Sequence, residues 1–339
     1  MRRWVHPAVV LFFLSPLIAE LLSGSAPPTE FFNPVTFLLL TAFYGSGALL
    51  VREVAFRWKK GWPTVLLLGL AYGIVEEGLA VKSFFDPTWV DLGPLGVYGR
   101  WADVNWVWSI GLSLYHAVFS IAIPILLTYL LFPEWKDRPW LRPRSFRLWS
   151  SVLALVVLLC NLFLTAYRPS RLHLALAGAT VIGLYLLARR VPATLPLTPA
   201  NDLPRPRTLF LLSFAAVIGW FILLWVLPNT AVPAIVTLVL MALLTMILVR
   251  TITRLTKHAG WSRHHAYAAA SGALLFFILM APLLQLDPNP PDNRAGMTLV
   301  AVGASVFLVG LGRRLRRTAD SAAGAPHPSA PPAQGEVGA

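Results

Sequence analysis

The sequence predicts an all-α fold: a polytopic membrane bundle of about ten transmembrane helices with both termini in the cytoplasm. The 339 residues are 57% hydrophobic and only 13% charged, whereas a soluble domain carries about 25% charged residues. The chain also contains ten apolar runs, each close to the ~20 residues that cross a bilayer core of about 30 Å. Finally, the basic residues between these runs are distributed unequally between alternate loops.

Apolar length places the helices along the chain. The ten runs are 4–22, 34–51, 62–84, 105–132, 147–167, 171–188, 208–228, 232–250, 265–286 and 296–312. The sixth and tenth runs are short. The first run follows Arg2 and Arg3, as in a signal peptide, but Glu20 interrupts its end and Pro27-Pro28 makes a poor cleavage site. We therefore expect an uncleaved first helix.

The distribution of Lys and Arg predicts the orientation. If the N-terminus is cytoplasmic, the inner segments hold 23 of the 28 Lys and Arg residues, and the outer segments hold the other five: Lys82, Arg100, Arg168, Arg171 and Arg294. Membrane proteins concentrate basic residues in cytoplasmic loops. The asymmetry therefore supports ten helices with both termini inside.

The net charge of +13 would suggest a nucleic-acid partner in a soluble protein. Here the basic residues lie in short segments between apolar runs, which suits anionic lipid headgroups. The predicted partners are therefore the lipid bilayer and anionic headgroups at the cytoplasmic face, and not nucleic acid. The predicted location is the cell membrane, with multiple passes.

Composition divides the chain into four parts. Residues 1–188 form a first helical half that carries the polar groups, and residues 189–207 form a Pro-rich cytoplasmic linker. Residues 208–317 form a second half with almost no ionisable residue at membrane depth, so we expect a scaffold. The tail, 318–339, is rich in Ala, Pro, Gly and Ser and is predicted to be disordered.

Two adjacent carboxylates, Glu76 and Glu77, lie inside the third apolar run. Ionisable groups at membrane depth cost on the order of 2.5–3.5 kcal/mol each on insertion scales, so they indicate a functional site. Gly69 and Gly73 precede them on the same helix and form a small-residue face that lets another helix approach closely. Both carboxylates should therefore face protein rather than lipid.

The fourth run carries a polar stripe at helical spacing: Ser109, Ser113, His116, Ser120 and Pro124. At 1.5 Å per residue, Glu76 should lie roughly 10 Å below the outer boundary and His116 roughly 15 Å below it. Because the two helices are antiparallel neighbours, these side chains should meet. The outer loop 85–104 between them is expected to act as a lid. The predicted substrate-binding residues are Lys82, Asp86, Asp91, Arg100, Asp103, Ser113 and Ser120.

Carboxylates and an imidazole suit three chemistries. They can ligate Zn²⁺ or a similar divalent ion, with Glu76, Glu77 and His116 as ligands and His173 as a candidate fourth. A buried Glu can act as general base for a water. The same groups could instead bind and release protons or cations in transport. A structural alternative is that Lys82 neutralises one Glu and the cluster only locks two helices together.

A Glu-Glu pair on one membrane helix, followed about 40 residues later by a His on the next, resembles the CPBP family of intramembrane proteases (CAAX-processing and bacteriocin-processing type). The family pattern is EExxxR, then FxxxH, then HxxxN. Glu76, Glu77 and His116 match it, whereas Val81 stands at the Arg position and Leu112 at the Phe position. No third motif is present, because His173 is followed four residues later by Ala177.

The resemblance implies an intramembrane, metal-dependent protease or related hydrolase with Glu76, Glu77 and His116 as catalytic residues. The alternatives are a small-molecule or ion transporter built of two five-helix halves of opposite orientation, and a non-catalytic membrane scaffold.

Overall fold

The computed structural model describes residues 5–288 and 292–323 and confirms an all-α polytopic bundle. Within these residues nine helices are long and apolar enough to cross a membrane, and Pro7–Leu22 is a shorter apolar helix. We number them α1 (Pro7–Leu22), α2 (Pro34–Arg57), α3 (Trp62–Ala80), α4 (Trp106–Leu131), α5 (Pro143–Leu164), α6 (Arg171–Arg190), α7 (Pro206–Asn229), α8 (Ala234–Thr256), α9 (Arg263–Gln285) and α10 (Met297–Ala323).

The remaining elements are small. A single helical turn, Pro28–Phe31, connects α1 and α2. Two short strands, β1 (Arg100–Trp101) and β2 (Val104–Asn105), pair antiparallel in the outer loop before α4. Each helix coincides with one predicted apolar run. The last one extends further than predicted: α10 continues to Ala323, and the rest of the predicted tail lies outside the described residues.

The short helix α1 crosses the bundle in the same way as the longer helices. At its beginning, the His6 ring lies 4.8 Å from the ring of Trp135, in the basic loop between α4 and α5. Beyond its end, Thr29 donates a hydrogen bond of 3.0 Å to the Asn293 carbonyl, in the connection before α10. Helix α1 therefore runs from the basic side to the opposite side, and α2 returns. Ten alternating helices result.

Helix α4 lies in the middle of the bundle. In its membrane window 67% of the residues are buried inside the protein, against 11% in α5, α6 and α8. One apolar cluster joins α4 to helices of the first half through Ile121 and Ile125, packed with Phe43. A second cluster joins it to the second half, where the Phe119 and Phe277 rings lie 4.9 Å apart. The two halves thus share one core around α4.

A fully buried arginine at the basic end of α2 fixes the loop between α4 and α5. Arg52 donates hydrogen bonds to the carbonyls of Lys136 (2.9 Å) and Arg138 (2.8 Å), and its guanidinium lies 3.9 Å from the Trp140 ring centroid. Glu53 accepts a hydrogen bond of 3.2 Å from Arg52. Because these charges satisfy each other and the loop, α2 extends beyond its predicted end at residue 51 into a basic segment.

The predicted orientation is tested by cysteine labelling at two exposed positions, with an impermeant maleimide applied to intact cells. We expect Asp91→Cys to be labelled and Arg142→Cys to be protected until the membrane is opened, because basic loops are cytoplasmic. The native Cys160 is buried and should contribute no signal. Labelling of Arg142→Cys in intact cells would reverse the orientation.

Candidate functional site

Four consecutive helices are locally wound as π-helix in the same region of the bundle. The π-helical turns are Leu17–Leu22 in α1, Thr41–Gly45 in α2, Val75–Ala80 in α3 and His116–Ala122 in α4. They carry, in that order, Glu20, Tyr44, the Glu76–Glu77 pair and His116. A π-helical turn inserts a residue into an α-helix and is frequent at functional sites. Here the four turns bring polar side chains together.

Close helix contact sets the position of the carboxylates. A Cβ at Gly73 would lie 2.9 Å from Ser113 Cα and 3.1 Å from His116 Cβ, and one at Gly69 would lie 2.9 Å from Ala117 Cα. Only glycine permits this approach, so the predicted small-residue face of α3 packs directly on α4. Glu77, four residues after Gly73, therefore lies opposite His116.

The imidazole of His116 lies between the two carboxylates. Its Nε2 is 3.1 Å from Glu77 Oε1 and its Nδ1 is 3.1 Å from Glu76 Oε2. Nδ1 also lies 2.9 Å from Ser120 Oγ. His116 is 1% exposed, Glu76 4% and Glu77 8%. The structure thus brings together the three residues that the sequence predicted to meet.

The group extends to residues that sequence analysis did not assign to it. The Tyr44 hydroxyl is hydrogen-bonded to both Glu20 and Glu76. At the other end, the Ser83 hydroxyl donates to Glu77, and Trp108 Nε1 donates to Ser83 Oγ at 2.9 Å. A continuous line of polar contacts therefore runs from Glu20 to Trp108 through His116.

Three tyrosine rings separate the imidazole from other parts of the bundle. The centroid distances from His116 are 6.1 Å to Tyr44, 6.3 Å to Tyr72 and 5.3 Å to Tyr115. The Tyr115 hydroxyl donates to the Ala19 carbonyl at 2.6 Å, in the π-helical turn of α1. The aromatic residues therefore tie α1 to the centre and shield it from lipid.

Lys82 has a structural role. Its Nζ donates to three backbone carbonyls at the end of α5: Asn161 (2.8 Å), Tyr167 (3.0 Å) and Thr165 (3.3 Å). Burial lowers the pKa of Lys82, and Arg168 adds to this effect. The structural alternative in which Lys82 neutralises a glutamate does not hold, because the hydrogen-bond partners of its Nζ are backbone carbonyls. Its three donor hydrogens cap a helix end instead.

Three charged residues of the outer loop are hydrogen-bonded to uncharged groups of the same loop. Asp86 accepts from the backbone NH of Thr88 at 2.9 Å, Asp91 accepts from Trp89 at 3.1 Å, and Arg100 donates to the Phe85 carbonyl. Asp103 is exposed and has a positive φ of 55°. Of the predicted substrate-binding residues, only Ser120 contacts the centre and only Ser113 packs directly beside it.

His173 lies outside this centre. Its Nδ1 is 2.8 Å from Ser170 Oγ and its Nε2 is 3.0 Å from the Ala102 carbonyl, so it joins the start of α6 to the outer loop. The described residues place three ligand groups together, those of Glu76, Glu77 and His116. One donor atom from each lies within 4.8 Å of the others.

One oxygen of the Glu-Glu-His group accepts no hydrogen bond from the described residues. Among the described residues Glu76 Oε2 is buried and receives no hydrogen bond, although His116 Nδ1 lies 3.1 Å from it and 2.9 Å from Ser120 Oγ. A buried carboxylate oxygen without a donor is costly, and a divalent cation is a group that would satisfy it. Two carboxylates and one imidazole are ligands that zinc accepts.

The fold and this centre define a polytopic membrane protein with a buried Glu-Glu-His group. Residues 9–322 match an uncharacterized membrane protein family, and the chain belongs to that family. Comparison with curated proteins and with solved structures gave no match.

The glycine contact that positions the centre can be tested with matched substitutions. We expect Gly73→Ala to lower the free energy of unfolding by about 1–3 kcal/mol, because the new Cβ meets the α4 backbone. Gly183→Ala, on α6, meets no atom within 4 Å and should leave it unchanged or raise it by up to about 1 kcal/mol, because alanine favours a helix interior over glycine. Unfolding in mixed detergent micelles measures both. Equal effects of the two variants would contradict the contact.

Proposed function

We propose that this protein is an intramembrane metal-dependent hydrolase that resembles the CPBP proteases and uses Glu76, Glu77 and His116. The observation that carries the proposal is the convergence of three ligand side chains at membrane depth, with one buried carboxylate oxygen that accepts no hydrogen bond from the described residues. A group of this kind is expensive to bury, and a purely structural contact between two helices would be better made by apolar side chains.

The residues present fit a catalytic metal rather than a structural one. Catalytic zinc sites have three protein ligands and keep a fourth position for water, and a bound Zn²⁺ lowers the pKa of that water to about 7. Glu76, Glu77 and His116 would hold the ion. Ser120 beside Nδ1 of His116 would orient the imidazole, as polar neighbours of ligating histidines commonly do.

The side chains around the centre can accept and release the protons that hydrolysis transfers. When water attacks a carbonyl carbon, the water oxygen forms a bond to that carbon and one of its protons passes to the Glu76 oxygen that would not hold the ion. The C–N bond then breaks and the leaving nitrogen takes the proton. Tyr44 and Glu20, hydrogen-bonded in line behind Glu76, provide a second location for that proton.

Metal binding is the first test, and it needs no substrate. We expect the purified protein to bind Zn²⁺ in isothermal titration calorimetry and His116→Ala to lose at least ~100-fold in affinity, since a ligand is removed. His173→Ala is the matched control and should bind as the wild type does, because His173 lies outside the centre.

The same residues should be coupled without metal. In apo protein, Glu76→Gln and His116→Ala should show an interaction of about 0.5–3 kcal/mol in a double-mutant stability cycle, because the side chains are in contact. Absence of both zinc binding and coupling would show that the centre does not act as a unit.

Hydrolysis itself is tested in H₂¹⁸O with a pooled library of membrane-spanning peptides and protein in nanodiscs. We expect ¹⁸O in newly formed carboxyl ends, detected by mass spectrometry, and a loss of at least ~100-fold in Glu76→Gln, which removes the base. Glu134→Gln, the same change at an exposed residue of the basic loop, should keep the activity. Cleavage that survives in Glu76→Gln would contradict the proposal.

One observation favours a second candidate, proton-coupled transport. The line from Glu20 through Tyr44, Glu76, His116 and Glu77 consists of groups that exchange protons, and such chains occur in membrane pumps and transporters. Proteoliposomes containing a pH-sensitive dye would distinguish the two. Glu76-dependent acidification without ¹⁸O-labelled products would favour transport, whereas labelled products without proton movement would favour hydrolysis.

A further inference from the structure

A cavity of about 450 Å³ lies on the basic side of the second half, between α8 and the Pro-rich linker. It is separate from the Glu-Glu-His centre, and the hydrolase proposal makes no use of it. Helix α8 contributes Ile247, Arg250, Thr251 and Arg254 to its lining, and the linker contributes Asn201 and Asp202. The second half was expected to be a scaffold, so these polar groups require an explanation.

The two arginines are directed to the same side of α8, Arg250 exposed and Arg254 half-buried. They are four residues apart, which places them one above the other on one helical face. Arg254 Nε is buried and makes no hydrogen bond. Since a guanidinium presents five N–H donors and suits phosphate in a bidentate manner, an unsatisfied buried donor of this kind indicates an anionic ligand.

The linker side of the cavity is held in place by the protein itself. The backbone NH of Ala200 donates to the Arg254 carbonyl at 3.1 Å. Directly after the end of α8, Lys257 Nζ donates to the carbonyls of Leu195 and Leu197, the latter at 2.9 Å. The cavity is therefore preformed and does not depend on the ordering of a free loop around a ligand.

The lining changes from apolar to cationic along α8. Ile247, whose side chain is 57% exposed, lies about one turn deeper in the membrane than Arg250, and Arg254 lies one turn nearer the surface. This order matches a phospholipid, whose acyl chains lie below its phosphate. The side that carries these arginines is the predicted cytoplasmic one, where anionic lipids attract basic residues.

We propose that this cavity binds the phosphate of an anionic phospholipid from the cytoplasmic leaflet, with Arg250 and Arg254 as its ligands and Ile247 against its acyl chains. Asp202 at the linker side leaves the three ionisable lining residues with one net positive charge. This favours a phosphodiester with a single negative charge over a phosphomonoester with two. Thr251 and Asn201 supply neutral hydrogen-bond donors.

Native mass spectrometry of the full chain in detergent micelles tests the proposal, with phosphatidylglycerol and phosphatidylcholine of identical acyl chains as probes. We expect preferential retention of phosphatidylglycerol. Arg250→Gln and Arg254→Gln should each weaken it about 5-fold and the double variant about 25-fold, since each basic residue near an anionic lipid contributes about that factor. Asp202→Asn should strengthen it.

The matched control removes two arginines from the same side of the membrane but outside the cavity: Arg313→Gln with Arg316→Gln, on α10. It should change phosphatidylglycerol retention less than 2-fold. An equal loss in this control, or equal retention of phosphatidylcholine by the wild type, would overturn the site. The single variants keep the test valid if the double variant does not fold.

A competition experiment shows whether the cavity binds a phospholipid or free inorganic phosphate. Millimolar inorganic phosphate should displace little phosphatidylglycerol, because it cannot contact Ile247. Complete displacement, together with arginine-dependent binding of inorganic phosphate in lipid-free micelles, would assign the cavity to a soluble phosphate and overturn the lipid assignment.

Discussion

The imidazole of His116 between the carboxylates of Glu76 and Glu77 is the interaction on which the arrangement of the first half depends. Hydrocarbon offers no hydrogen bonds, so each of these groups must find its partner inside the protein or cost several kcal/mol. A separation of 3.1 Å on both sides of the ring requires α3 and α4 to touch through their backbones. Glycine at position 73 permits this contact, and the π-helical turns direct the side chains toward it.

The need to pair polar groups inside the protein also accounts for the central position of α4. Helix α4 is buried by neighbours on both sides because its polar face binds α3 and its apolar face packs on α9 through Phe119. In the membrane windows of α5, α6 and α8, by contrast, only 11% of the residues are buried inside the protein. At the basic end, Arg52 fixes the loop that follows α4. The centre is thus held at several points and can keep its geometry without a bound ligand.

Sequence patterns predict the parts of this structure that depend on local spacing. Run length places the helices, and the Gly69–Gly73 face with the Ser113–His116–Ser120 stripe predicts which helices meet. Partners distant in sequence are not predicted. Lys82 bonds to carbonyls about 80 residues away, whereas the structural alternative paired it with a nearby carboxylate. In the sequence, Glu20 interrupts the end of the first run. The free-energy cost of an ionisable group at membrane depth, which indicates a functional site at Glu76, applies equally to Glu20.

The hydrogen bonds of Tyr44 show where the chemistry of the centre begins. A phenol has one hydrogen, yet its oxygen is bonded to the carboxyl groups of both Glu20 and Glu76. One bond uses the Tyr44 hydrogen, so the other requires a proton carried by a carboxyl group. The proposed hydrolase and the proposed transporter would each use such a proton, shared by Glu20 and Glu76 through Tyr44. The second oxygen of Glu76 lies 3.1 Å from His116 Nδ1. A carboxylate held between an imidazole and a hydrogen-bonded phenol has the surroundings that the proposed hydrolase requires of its general base.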